Sequence, residues 1–164
     1  CDVCAVGKSH PLNHPKTANH KGNQIFQLIF VDLMEPITPE ALGGYKYVRK
    51  ISDEHTKWTE IHLLKSKGDA LSSFQLFMQS VVIASSFRVE RLRADKSGEY
   101  ISNEYKIFCL QTGVSLEYAS INIPQQIGMS ESVGRTLPAM VRCLLTDSGL
   151  TRFLWAELMF TAAF

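Results

Sequence analysis

No stretch of the sequence is apolar over the roughly 18 or more residues that a membrane-spanning helix requires, and no signal peptide is recognisable, so no membrane span is predicted. Cysteine is scarce: four in a chain of 164 residues do not make a disulfide framework, and a reducing compartment, cytosol or nucleus, fits this usage. Cys109 and Cys143 lie in apolar patterns and are predicted to be buried free thiols.

An excess of one charge is also lacking, because 17 basic and 16 acidic residues leave a net charge of +1. Binding to nucleic acid would therefore need a local basic patch.

The rest of the composition is typical of a globular domain. Hydrophobic residues make up 45% of the chain and charged residues 20%. A length of 164 residues predicts one domain with a real core and room for a short appendage. The chain starts at Cys1 and stops inside an apolar helical pattern, so we expect it to be a fragment of a longer protein.

Hydrophobic periodicity predicts the element order βββαβαβ followed by helices. The clearest helix, over 65–86, carries an apolar stripe and has Ser66 or Asp69 as its cap. A second helix is expected to stop at Gly113. Pro124 and Gly128 predict a flexible loop over 120–128. The predicted strands are 25–34, 45–51, 57–64, 87–94 and 114–119, and the later helices are 103–111, 137–145 and 151–164.

Three acidic residues have the chemistry of a divalent-metal site. Asp32 ends one predicted strand, Asp95 follows another, and Glu131 comes later in the chain. Magnesium prefers hard oxygen ligands, and a pair of such ions can clamp the attacking and leaving oxygens of a phosphoryl transfer. Carboxylates held close together repel one another unless cations lie between them. The chain has 16 acidic residues, so the spacing alone is a weak signal and each one alone fits an ordinary surface acid better.

The first 24 residues are polar and basic and contain a possible half of a zinc site. Cys1 and Cys4 have the spacing of metal ligands, and His10 and His14 would complete a set of four. The five residues between Cys4 and His10 are far fewer than in a usual zinc finger, so two exposed thiols remain the simpler interpretation.

A series of motifs resembles, in order and spacing, the integrase region of copia-type retrotransposon Pol polyproteins. The resemblance covers essentially the whole chain, and the ordered series is more specific than any one motif. Its members are CDVC at 1–4, DLMEP at 32–36, GGYKY at 43–47, LRADKSGEY at 92–100, PQQIGMSESVGRTL at 124–137 and FLWAE at 153–157.

The resemblance implies a ribonuclease-H-like α/β fold, with a mixed five-stranded sheet and flanking helices. In that fold the first and fourth strands are neighbours, and Asp32, Asp95 and Glu131 are the catalytic ligands of Mg²⁺ (or Mn²⁺). The implied boundaries are 1–24 for the end of a truncated HHCC zinc-binding module with a basic linker, and 25–145 for the integrase catalytic core. Residues 146–164 would be the last helix of the core or the start of the next segment. Cys1 and Cys4 would bind Zn²⁺ only with upstream histidines.

The resemblance also implies an activity and partners. The activity would be DNA integration by metal-dependent 3′ processing and strand transfer, on the ends of the element and on target DNA. The full-length protein would form a homo-oligomer and act in the nucleus and cytoplasm, within the virus-like particle of the element. The candidate nucleic-acid contacts are Arg91, Arg93 and Lys96 around Asp95, and Gln125, Gln126 and Arg135 around Glu131. For the basic residues near Asp95, a solvated strand face is an equally good interpretation.

Departures from the family pattern cluster after Glu131. Ile127 replaces an asparagine, Ser132, Val133 and Gly134 replace a basic stretch, and Pro138 falls where the family's helix continues. Either the helix restarts at Pro138 or Glu131 is loosely held. The alternative function is therefore a decayed, non-catalytic integrase remnant that acts at most as a weak nucleic-acid-binding or interaction module. A ribonuclease-H-type nuclease would share the site but would not explain the motifs at 1–4 and 153–157.

Overall fold

The structure is a computed structural model that describes residues 22–84, 87–96, 98–118 and 124–163, without the side chains of 82–84 and 124–135. The predicted zinc ligands Cys1 and Cys4 lie outside the described residues, as do His10 and His14. Within the described ranges, no helix is long and apolar enough to cross a membrane.

A mixed five-stranded sheet forms the centre of the domain, in the order β3-β2-β1-β4-β5. β1 and β2 are antiparallel, as are β2 and β3, so the first three strands form the predicted meander. β4 is parallel to β1 and to β5, which makes the first and fourth strands neighbours. The strands are β1 (Leu28–Leu33), β2 (Tyr47–Asp53), β3 (Thr59–Leu64), β4 (Arg91–Ala94) and β5 (Ser115–Tyr118).

Within the described residues, five α-helices flank the sheet, and several of their termini follow local sequence signals. The Asp69 carboxylate accepts hydrogen bonds from the backbone N–H groups of Ser66 at 2.8 Å and Lys65 at 3.1 Å, just before the first helix. Gly113 ends the third helix in the left-handed conformation, with φ 70°, as predicted. The helices are α1 (Ala70–Ala84), α2 (Gly98–Ile101), α3 (Asn103–Thr112), α4 (Pro124–Ser148) and α5 (Trp155–Ala163), with short 3-10 turns at Lys67–Asp69 and Arg152–Leu154.

Asp53 is a buried carboxylate at the end of β2 that fixes the β2–β3 connection. It accepts hydrogen bonds from Thr56 N at 2.8 Å and Thr56 Oγ1 at 2.7 Å. Its other oxygen accepts from Phe26 N at 2.9 Å, just before β1. Full hydrogen bonding offsets the cost of burying the carboxylate and aligns the first two strands.

Each face of the sheet packs against its own set of helices, which gives two hydrophobic cores. On one face, α1, α2 and α3 cover the strands, and Phe74, Tyr105 and Cys109 are buried there. On the other face, α4 and α5 cover β2 and β3. This second core contains Val48, Ile61, Leu137, Val141, Trp155 and Met159.

Residues 124–148 form one helix of 25 residues, which corrects two expectations. The helix starts at Pro124, so the predicted loop does not extend over 124–128, whereas residues 119–123 lie outside the described residues. Proline is well tolerated in the first turn because its missing N–H would have no partner there. Pro138 lies inside the helix, so the helix does not restart at that residue. Leu137 and Val141 on either side are buried in the second core, and their burial offsets the lost hydrogen bond.

The two described cysteines differ from each other. Cys109 is buried as predicted, and burial raises the pKa of its thiol to about 11. Cys143 is exposed, so its expected burial was wrong. Val141, in the same turn of α4, is buried in the second core. Cys143 lies two positions further along the helix, so it is on the side of α4 that faces away from that core.

Candidate active site

The two strand-end aspartates lie side by side at one edge of the sheet. In the parallel pairing of β1 with β4, Phe30 is level with Arg93. Asp32 and Asp95 each come two residues further along, so the same register makes them level. Asp32 is half-buried within β1, whereas Asp95 is exposed just after β4 ends at Ala94. The carboxyl ends of neighbouring parallel strands are where ligands bind in open α/β sheets.

Tyr100, on the short helix α2, is an electrostatic neighbour of both carboxylates. Burial raises the pKa of its phenol far above the ordinary value, and the negative charges of Glu99, Asp32 and Asp95 raise it further. The Tyr100 side chain is fully buried, and its ring meets that of Tyr105 edge to face at 5.3 Å. The turn that follows Asp95 is thereby anchored in the first core.

Lys50 lies directly across the strand pair from Asp32. The antiparallel register of β1 and β2 places these two residues opposite each other, so their side chains point to the same face of the sheet. Lys50 has no exposed surface, which is rare for a lysine. Burial lowers the pKa of its ammonium, and the Asp32 carboxylate opposes that change. The burial of Lys50 was not predicted from the sequence, because a lysine in a strand normally indicates a solvent-facing position.

Helix α4 covers the face to which Asp32 and Lys50 point. Val48 precedes Lys50 by two positions and shares its face, and Val48 packs in one core with Leu137 and Val141 of α4. Glu131 lies in the first half of this helix, together with Gln125, Gln126 and Arg135. The side chains of these four residues are not described, so their expected roles stay predictions. Among the side chains that are described, no group of three or more His, Cys, Asp or Glu could hold a metal ion.

Arg91 and Arg93, two of the basic residues near Asp95, are engaged with Glu117 of β5. The Arg93 guanidinium donates to Glu117 Oε2 through Nη2 at 2.7 Å and Nε at 3.1 Å, and it stacks 5.4 Å from the Phe30 ring centroid. Arg91 Nη1 lies 3.8 Å from Glu117 Oε1. Arg93 is only 5% exposed, so the solvated strand face is wrong for this residue, and a phosphate contact would require breaking its ion pair. Lys96 is exposed.

Comparison with known proteins finds homologues among plant retrotransposon polyproteins. No family model matches the chain. The chain is 31% identical, over all of its 164 residues, to the Retrovirus-related Pol polyprotein from transposon TNT 1-94 of Nicotiana tabacum. It is 25% identical over 158 residues, 94% of its length, to the corresponding polyprotein from transposon RE2 of Arabidopsis thaliana. The chain is a homologue of plant retrotransposon Pol polyproteins. It spans only 12% and 10% of the lengths of these two relatives.

Solved structures show which part of Pol this fold resembles. One similar chain comes from the simian T-cell lymphotropic virus intasome in complex with PP2A regulatory subunit B56 gamma. The match has a TM-score of 0.70 and 15% sequence identity, and it covers 99% of the present chain and 55% of the viral chain. The HTLV-2 integrase catalytic core domain in complex with magnesium matches 87% of this chain and 87% of its own, at a TM-score of 0.64 and 12% identity. The expected ribonuclease-H-like fold, with its mixed five-stranded sheet, is confirmed. The described domain of the Pol homologue therefore has the fold of retroviral integrase catalytic cores.

Proposed function

We propose that this Pol homologue is a DDE-type polynucleotidyl transferase that acts on DNA phosphodiesters. The observation that carries the proposal is the parallel register of β1 and β4, which makes Asp32 and Asp95 level at one edge of the sheet. The similarity to retrotransposon Pol over the whole chain supports the same function. Asp32, Asp95 and Glu131 would together hold the divalent cations that contact the reacting phosphate.

Magnesium is the cofactor that this donor set fits best. Asp32 and Asp95 are hard oxygen donors on neighbouring strands, and Glu131 lies on the helix that covers the face to which Asp32 points. The integrase core of HTLV-2, with the same fold, was solved in complex with magnesium. Bound Mg²⁺ would activate the attacking oxygen and stabilise the leaving one. The zinc site at Cys1 and Cys4 remains part of the proposal only for a longer protein that supplies the missing histidines.

The chain's own residues would position DNA rather than react covalently with it. Lys96 is exposed next to Asp95 and can contact a phosphate directly. Gln125, Gln126 and Arg135 are proposed to contact DNA from α4. Arg91 and Arg93 would take part only if Glu117 released them, so their proposed contribution is secondary.

We extend the proposal to assembly and place of action. The HTLV-2 core with this fold was solved in dimeric and trimeric forms, and the simian viral protein within an intasome. We therefore expect the full-length Pol homologue to act as a homo-oligomer with DNA as its partner. Its place of action would be the virus-like particle, the cytoplasm and the nucleus.

A disintegration assay tests the activity most directly, because it requires only the catalytic core. A branched DNA substrate is incubated with the chain and Mn²⁺, and the rejoined product is measured for the wild type, Asp95→Asn and the matched control Asp147→Asn. Asp147 is exposed near the end of α4, so its replacement removes the same charge away from the sheet. We expect product from the wild type and the control and a loss of at least about a hundredfold with Asp95→Asn.

A non-catalytic module is the second candidate function, and two observations favour it. Lys50 is a cation buried beside Asp32, and Arg93 is engaged with Glu117 instead of facing solvent. If a folded wild-type chain binds DNA but yields no product above Asp95→Asn, this second function is correct.

A further inference from the structure

The strongest unassigned feature is the cation that the sheet itself places beside Asp32. Lys50 and Asp32 are directly opposite each other in the β1–β2 pairing, where opposed Cβ atoms are roughly 4.5–5.5 Å apart. Lys50 is also level with Ile61 of β3. Val48, Ile61 and helix α4 build the second core on this face, so the ammonium has little room to turn toward solvent. The Lys50 side chain has no exposed surface at all.

Burial strongly favours the pairing of these two charges. An ammonium group removed from water is strongly disfavoured unless an anion lies close to it. The Asp32 carboxylate acts electrostatically on Lys50, and it is half-buried on the same face. Among the described side chains, the other charged group buried on this face is Arg93, which is matched by Glu117. Within that described part of the chain, Asp32 is the carboxylate that the strand register places beside Lys50.

We propose that Lys50 is a built-in counter-ion of Asp32 that competes with a divalent cation for this carboxylate. This inference rests on the proposed function, because it concerns the same metal-binding aspartates. Lys50 is a positioning residue: it holds Asp32 in place and neutralises it when no metal is bound. A divalent ion that approaches Asp32 is repelled by the positive charge of Lys50 on the neighbouring strand. The domain therefore folds with its aspartates together without metal, and it binds Mg²⁺ or Mn²⁺ more weakly than the same site without the lysine.

The first experiment measures the affinity for Mn²⁺ alone, from the loss of the free-ion EPR signal as protein is titrated. The variants are Lys50→Met, Lys50→Arg, which keeps the charge, and Lys57→Met, which removes an exposed lysine with 58% of its side chain accessible. We expect Lys50→Met to bind Mn²⁺ at least about tenfold more tightly than the wild type, because a charge repulsion across one strand pair is removed. Lys50→Arg and Lys57→Met should bind like the wild type. Adding Asp95→Asn to Lys50→Met should abolish the gain.

The outcomes separate this inference from the proposed function. Equal Mn²⁺ affinity of the wild type and Lys50→Met, lost in both with Asp95→Asn, would overturn the role of Lys50 and leave the metal-dependent function standing. Tight binding by Lys50→Met with no binding by the wild type would support the role of Lys50 and argue against metal-dependent catalysis by the natural chain. No binding by any variant would overturn both.

A second measurement needs no metal and covers the case in which Lys50→Met binds nothing because it folds poorly. Thermal unfolding in EDTA is recorded for the wild type, Asp32→Asn, Lys50→Met and the double variant. We expect Asp32→Asn to lower the Tm of the wild type, because it leaves Lys50 buried without its anion, and to lower the Tm of Lys50→Met much less. Equal losses in both backgrounds would show that the two side chains are independent and would overturn the inference.

Discussion

At the scale of single residues, the three cations buried on β2 and β4 among the described residues are compensated in different ways. Arg93 has a close partner in Glu117, and Lys50 has Asp32 across the strand pair. Arg49 has no exposed surface, donates through Nη1 to the Ala70 carbonyl, and lies 5.8 Å from the Phe74 ring centroid. Among the described residues, its Nε and Nη2 have no hydrogen-bond partner. Burial lowers the pKa of Arg49. Because two of its guanidinium nitrogens lack partners within the described part of the chain, Arg49 is the least compensated of the three charges.

Replacing Arg49 with methionine is expected to stabilise the domain. Methionine fills a similar volume, keeps contact with the Phe74 ring and removes a charge that is not fully hydrogen-bonded. We expect the free energy of unfolding to rise by about 1–2 kcal/mol, measured by urea denaturation with Arg152→Met, at an exposed position, as the control. A fall for Arg49→Met would mean that ordered water or a tyrosine hydroxyl compensates the guanidinium.

These buried cations mark the limit of what the sequence predicts about single side chains. Arginine and lysine at 49, 50 and 93 are expected at exposed strand positions by composition alone. Their burial depends on helices that are distant in sequence and on Glu117, which becomes a partner only when β5 pairs with β4. Asp32 and Asp95 were recognised as a pair only through the family resemblance, because the pattern predicts strands but not which strands are neighbours.

At the scale of elements, α4 is the helix whose local sequence agrees least with its structure. Gly128 and Pro138 each favour a turn or a break, yet the helix is continuous to Ser148. Its second half is held by Leu137 and Val141 in the second core, so tertiary packing overrides local preference. The meander, α1 and α3 were predicted well because their periodicity, the cap at Asp69 and the stop at Gly113 all agree with the fold.

Replacing Pro138 with alanine should stabilise α4. Alanine restores a backbone N–H donor and relieves the clash of the proline ring with the preceding turn. We expect a gain of about 1–3 kcal/mol in the free energy of unfolding, since an interior proline costs about 3 kcal/mol relative to alanine. Met140→Ala, at a 43% exposed position on the same helix, is the control and should change stability little. An unchanged stability for Pro138→Ala would mean that the lost ring contacts are worth as much as the restored hydrogen bond.

At the scale of the whole molecule, both sheet faces must be covered for the site to exist. The first core anchors Tyr100 behind Asp95, and the second core holds α4 over Asp32. Trp155 donates from Nε1 to the Pro39 carbonyl at 2.9 Å, which fixes α5 to the segment before β2. The architecture of the domain was predictable from the order of strands and helices together with the resemblance to integrases. The burial of charged side chains between the sheet and its helices was not predictable in this way.

The stability of the whole domain is expected to fall in mild acid through His62, which joins β3 to α1. Its Nδ1 lies 3.0 Å from Ser73 Oγ. The pKa of His62 is lowered to about 4, mainly by burial and to a lesser extent by the positive charge of Arg49. The unfolded chain therefore binds a proton at His62 near pH 6.5, which the folded domain does not accept until about pH 4. Stability from this group is complete above pH 6.5 and is lost as the pH falls from there to 4.

The expected loss is up to about 3 kcal/mol, and the Glu60 carboxylate, 3.0 Å from His62 Nε2, opposes it. Urea denaturation at several pH values should show a slope between pH 4 and 6.5 that is smaller in His62→Gln. His55→Gln, at an exposed position in the β2–β3 turn, should retain the wild-type slope. The same slope in His62→Gln and the wild type would assign the acid sensitivity to other groups.

The continuity of α4 has a consequence for how the sequence of this domain can change in length among its relatives. One rigid helix carries both Glu131 and the core residues Leu137 and Val141, and each residue advances the helix by about 100°. Substitutions between them leave the rotation unchanged. A deletion of one codon between 131 and 137 would turn Glu131 by about 100° relative to the sheet while the core kept its packing. Lengths of inserted or deleted segments, more than substitutions, should therefore separate related sequences that keep position 131 in its place over the sheet from those that only fold.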